Sequence, residues 1–130
     1  MVRSEGYIIA VDFDGTCVEH SYPTVGMEVE GAVEVLRALN ERGHRIILYT
    51  MRSGERLEAA VRWFEERGIT LWAINRNPEQ ERWTTSAKVY ADVYIDDSGL
   101  GCPLRFIDGV ARPVVEWAKV RTLLERDGVL

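Results

Sequence analysis

The chain has 130 residues, a net charge of −5, an apolar fraction of 46% and a charged fraction of 28%. That is enough for one domain, residues 1–130, with a single core that needs no disulfide support. The acidic balance excludes general nucleic-acid affinity, which needs a basic surface, but not one nucleic-acid end held in a pocket.

Two cysteines, Cys17 and Cys102, are too few for a disulfide scaffold and lack metal-ligand spacing. Both are expected to stay reduced in a cytoplasmic setting. No apolar run approaches the length of a membrane span. Met1 to Gly6 lead straight into the first strand, with no long apolar leader.

In chain order, Tyr7 to Val11 is an apolar run that reads as a buried strand. It ends in Asp12-Phe13-Asp14-Gly15-Thr16, followed by a polar, irregular stretch from Cys17 to Met27. Val29, Val33, Leu36 and Leu39 then share one helical face, and Gly43 suits the left-handed position after that helix. A second strand runs from His44 to Tyr49 or Thr50. Ser53 offers an N-cap to a helix with Leu57, Ala60, Val61 and Phe64 on one face, closed again by Glu-Arg-Gly. Ile69 to Ile74 reads as a third strand and Asn75 to Ser86 as a polar connection. Ala91 to Ile95 is a short fourth strand ended by Asp96-Asp97-Ser98-Gly99, and Leu104 to Ile107 is a candidate fifth. Pro113 opens a terminal helix that includes Val114 and Trp117. Strands alternating with helical segments predict an α/β fold with a mostly parallel sheet.

The first acidic motif carries the chemistry. Side chains at i and i+2 of a strand point the same way, so Asp12 and Asp14 are expected to project together from its C-terminal end. Ligands of open α/β sheets bind at that end. Two like charges 4 Å apart repel by about 4 kcal/mol at an effective dielectric of 20, so a cation is expected between them. Mg²⁺ suits oxygen donors of this kind. The plainer reading, a polar turn with Gly15 at its corner, leaves the second carboxylate unexplained.

With Thr50 after strand two, Lys88 before strand four and Asp96-Asp97 after it, the chain resembles the haloacid dehalogenase-like (HAD) superfamily of phosphohydrolases. The resemblance spans roughly residues 7 to 97. Its first motif is specific. Thr50 alone also reads as a β-branched strand residue and Lys88 as a solvated lysine; their places in the order give them weight.

The resemblance implies a three-layer Rossmann-like fold and a Mg²⁺-dependent phosphatase. Asp12 would attack phosphorus to give an aspartyl-phosphate. Asp14 would protonate the leaving oxygen and then deprotonate the hydrolytic water, a role that asks for a raised pKa among neighbouring carboxylates. Thr50, Lys88, Gly15 and Thr16 would surround the phosphate, and Arg52 has a substrate anion or a plain surface position as its two readings. Asp12, Asp14 (through its carbonyl), Asp96 and Asp97 would hold the metal. Trp72, Trp83 and Trp117 read as packing, with a substrate platform as the alternative for Trp83 alone. Cys17 reads as a small packed side chain, and His20 and Tyr22 have a pocket lining or a plain exposed loop position as their two readings.

Cys17 to Met27 leaves room only for a short flap, so no cap domain is expected. By resemblance, an open site implies a bulky phosphorylated substrate, such as a macromolecular end, or a small molecule enclosed by a second subunit in a homo-oligomer. Water access favours hydrolysis over transfer. A phosphatase for a nucleotide or polynucleotide end would gather Arg52, Arg76 and Arg82 at the rim. A non-enzymatic phospho-acceptor signalling module would carry an acid at the end of strand two or three, where Tyr49-Thr50 and Ile74-Asn75 stand.

Overall fold

The computed structural model describes residues 6–130, and the reading of Met1 to Glu5 lies outside them. Strands β1 (Ile8–Val11), β2 (Arg45–Leu48), β3 (Ala73–Ile74) and β4 (Val93–Ile95) form one all-parallel sheet in the order β3-β2-β1-β4. Helices α1 (Ala32–Glu41), α2 (Gly54–Glu66) and α3 (Trp117–Arg126) complete a mixed α/β, Rossmann-like architecture, with a separate two-stranded ribbon of β5 (Leu104–Arg105) and β6 (Val114–Val115).

Strand alternation divides the core between two faces. Ile9, Val11, Ile46, Leu48 and Ile95 pack with residues of all three helices, including Leu36, Phe64 and Trp117. Ile8, Ala10 and Ile47 face the other way and meet Val89 and Ala91 of the β3–β4 connection. That second face is therefore covered by an irregular segment with one 3-10 turn, Gln80–Arg82, and not by a helix. Asn77 and Gln80 brace the segment: the Asn77 amide donates to the Tyr90 carbonyl, and the Gln80 amide to the Ser86 and Lys88 carbonyls.

Several boundaries differ from the sequence expectation for local reasons. Helix α1 begins only after Gly31, whose φ of +88° and close approach to Trp117 exclude a side chain; a Cβ would lie 2.9 Å from Trp117 Cβ. Strand β3 is two residues long, not six. The Thr70 amide is captured by Asn40 Oδ1, so the chain joins the sheet late. Ser53 does cap α2, but through its carbonyl and without a side-chain bond. Val114 lies in a strand and not in the terminal helix. It pairs with Arg105, and the helix starts at Trp117, after the Glu116 amide has bonded the Pro103 carbonyl. Leu104-Arg105 is likewise outside the main sheet.

Candidate active site

Because β1 and β4 are neighbours, with Val11 opposite Ile95, their C-terminal ends finish side by side. The Asp12 amide donates to the Ile95 carbonyl at 3.0 Å, which fixes the first acidic motif against the second. Asp12, Asp96 and Asp97 each bring a carboxylate oxygen within 4.8 Å of the other two. Two stretches of chain 84 residues apart thus converge on one spot, which is the condition any shared-cation reading has to meet.

The turn after Asp12 is built to close against β4. Thr16, Cys17 and Val18 amides all donate to the Phe13 carbonyl. Buried Thr16 bridges the two motifs: its hydroxyl donates to Asp12 Oδ2 (3.3 Å) and accepts from the Asp97 amide (3.2 Å). Gly15 has φ +79°, and a Cβ there would fall 2.6 Å from Asp97 Oδ2 and closer still to the His20 ring. From behind, the Val115 amide donates to the Gly15 carbonyl and Trp117 Nε1 to the Thr16 carbonyl. Trp117 is therefore packed, as its sequence position implied, and also anchors the motif.

Asp12 and Asp14 meet opposite surroundings. Burial, then the charges of Asp96 and Asp97, push the Asp12 carboxyl up to about 8, against the lowering effect of the Phe13 amide. The crowd of acids expected around Asp14 is thus found around Asp12. Asp14 lies outside the three-acid group and is gripped by Arg52, with Nε to Oδ2 and Nη2 to Oδ1 both at 2.8 Å. Arg52 is 2% exposed. Its remaining N–H groups donate to the carbonyls of Pro23, Thr24 and Arg56, and its guanidinium lies over Phe13 and Tyr22. Burial also pushes the Cys17 thiol well up, aided by the Asp12 and Asp14 charges, so it stays protonated and donates to the Asp12 carbonyl.

Thr50 follows β2 beside this end of the sheet. Its hydroxyl accepts from the Arg52 amide and its own amide donates to Asn75 Oδ1. Lys88 is exposed, and its ammonium bonds none of the described residues; only its backbone is engaged, by Ser86 and Gln80. The structure thus joins Asp12, Thr16, Asp96 and Asp97, puts Asp14 and Arg52 together beside them, and leaves Lys88 out of contact. His20 is closer to the chemistry than its loop position implied, with Nε2 3.1 Å from Asp97 Oδ2. Trp83 is 68% exposed and stacks edge-on with Tyr90 of the same connection.

The donor set fits a hard divalent cation. It consists of oxygens alone, and among the described residues no arginine or lysine bonds any of the three acids. No described helix is long and apolar enough to cross a membrane.

Comparison with protein-family models and with curated proteins gives no match. Among solved structures, one described as that of "the conserved protein coded by locus from Bacteroides thetaiotaomicron" is 36% identical, with a TM-score of 0.77. The similarity runs over 94% of this chain and 92% of the other, which is nearly the whole of both. At that identity and coverage, the chain belongs to the same family as this conserved Bacteroides thetaiotaomicron protein.

Proposed function

We propose that the protein is a Mg²⁺-dependent phosphatase of the haloacid dehalogenase-like type, hydrolysing a phosphate monoester through an aspartyl-phosphate on Asp12. The observation that carries this reading is the meeting of Asp12 with Asp96 and Asp97 at adjacent strand ends. Those three acids, with the Asp14 carbonyl implied by the resemblance, would hold Mg²⁺. When bound, the ion would offset their charge and that of the phosphate.

In this reading Asp12 Oδ forms a bond to phosphorus as the ester oxygen leaves, and Asp14 gives that oxygen a proton, which requires one of its two bonds to Arg52 to open. Asp14 then takes a proton from water, whose oxygen attacks phosphorus and restores Asp12 with release of phosphate. The Thr50 hydroxyl would bind a phosphate oxygen. Lys88 would bring the positive charge, its ammonium bonding none of the described residues. In the same proposal residues 75–92 serve as the third layer, and residues 17–27 are a flap in place of a cap. Two free cysteines, one buried, suit a reducing cytoplasmic setting.

The polynucleotide-end version has less support. Arg52 is bound to Asp14 and Arg76 to Glu81, so both guanidiniums already have a carboxylate partner. A receiver-like module has less again, with no acid closing β2 or β3.

A panel of phosphate monoesters assayed with Mg²⁺ and with chelator is the direct test. We expect Mg²⁺-dependent release of phosphate, lost by at least about 10³-fold in Asp12→Asn. Turnover retained by Asp12→Asn, or no release from any ester, would defeat the proposal.

A further inference from the structure

Asp12 and Asp14 are chemically identical side chains two residues apart, at the cluster proposed above to hold a cation. A fourth carboxylate on an ion held by three would be lost to proton transfer. What separates the two acids is Arg52. Its fork meets both Asp14 oxygens at 2.8 Å, the bidentate geometry that fixes a carboxylate in orientation as well as in place. Nor is the arginine free to turn to a substrate. Its other N–H groups are taken by the Pro23, Thr24 and Arg56 carbonyls, and its plane is 5.0 Å from the Phe13 ring centre and 5.3 Å from that of Tyr22. The group is set in advance, from the loop that also bears Thr50.

We propose that Arg52 is a positioning residue that sorts the acids of the first motif, holding the Asp14 carboxylate off the cation so that the ion takes the carboxylates of Asp12, Asp96 and Asp97 alone. Its consequence for turnover rests on the phosphatase reading above; its first measurement does not.

Mn²⁺ binding by calorimetry to the full chain, with folding checked by circular dichroism, tests this in a double-mutant cycle of Arg52→Gln and Asp14→Asn. With Asp14 present, Arg52→Gln should tighten Mn²⁺ binding about tenfold, because the released carboxylate joins the ion. In the Asp14→Asn background the same change should move the affinity less than about twofold. An equal gain in both backgrounds would mean that only the arginine's charge was felt, and would overturn the proposal, as would no gain in either. If Arg52→Gln does not fold, Arg52→Lys carries the same cycle. Its ammonium keeps a single contact to Asp14, so a smaller gain of about threefold, again confined to the Asp14 background, is expected. On an ester that the wild type hydrolyses, Arg52→Gln should lower kcat with KM little changed, and Arg52→Lys should recover part of it. Coupled Mn²⁺ binding without any phosphatase activity would sink the functional reading and keep the positioning role. Phosphatase activity without coupling would do the reverse.

Discussion

The two ends of the parallel sheet handle buried polar groups in opposite ways. At the N-terminal end, partners are supplied. His44, 5% exposed, accepts the Tyr7 amide at Nδ1 (2.9 Å) and donates from Nε2 to the Val129 carbonyl (2.6 Å), fastening the last residues to β1. Asp92 accepts the Ile8 amide at 2.8 Å and the Tyr90 hydroxyl at 2.7 Å. At the C-terminal end three acids are pressed together, bonded by one histidine and, among the described residues, by no arginine or lysine. The first end is what stability alone produces, since satisfied polar groups rigidify a fold. The second is unfavourable in isolation, and it is where we propose that a cation binds.

The comparison can be broken most severely at Gly15. An alanine there meets a strained φ of +79° and a Cβ overlapping His20 and Asp97. We expect Gly15→Ala to destabilise the fold by about 3 kcal/mol and to weaken Mn²⁺ binding, as the two motifs are pushed apart. Thermal unfolding and calorimetry measure both; a variant with wild-type stability and affinity would mean that the turn is not held against β4 as described.

The contrast between the ends also explains what was legible in the sequence. Asp12 and Asp96-Asp97 could be read because each directly follows an apolar strand, and strand direction and side-chain alternation are local properties. Their meeting needed only that β1 and β4 be adjacent. The Arg52–Asp14 pair was not legible. It joins residues 38 apart and depends on where the Pro23–Thr24 flap runs, which no period reports. His20 was hidden for the same reason. Lys88 was read from order alone, and order does not say where a flexible ammonium points. The elements misjudged, β3 and β6, are set by tertiary bonds: Asn40 capturing Thr70, and Gly15 and Pro103 accepting amides that Pro113 made look helical.

A change at the stabilising end should leave the functional end untouched. His44→Ala removes the partners of the Tyr7 amide and Val129 carbonyl, which we expect to lower stability by about 2 kcal/mol. Divalent-cation affinity and any phosphatase kcat should stay within about twofold of wild type. A large loss of affinity in a folded His44→Ala protein would mean that the two ends are coupled through β1.

The smallest effect is the most specific to the functional end, because it reports the uncompensated charge itself. In the metal-free fold Asp12 keeps its proton up to a pH of about 8, while the unfolded chain releases it near the ordinary carboxylate value. Between these limits the folded state binds more protons than the unfolded one, so its stability is fully present below about pH 4 and declines as pH rises toward 8. For a half-buried group softened by water this amounts to about 1–2 kcal/mol. In chelator, the melting temperature should therefore fall between pH 5 and 8.5 more steeply for the wild type than for Asp12→Asn, which has no proton to lose. Saturating Mg²⁺ should remove the difference in slope, since the ion binds the ionised form and replaces the missing positive charge. Parallel pH profiles for the two proteins in chelator would show that the acids at the end of β1 and β4 do not burden the fold, and the distinction between the two ends of the sheet would lose its basis.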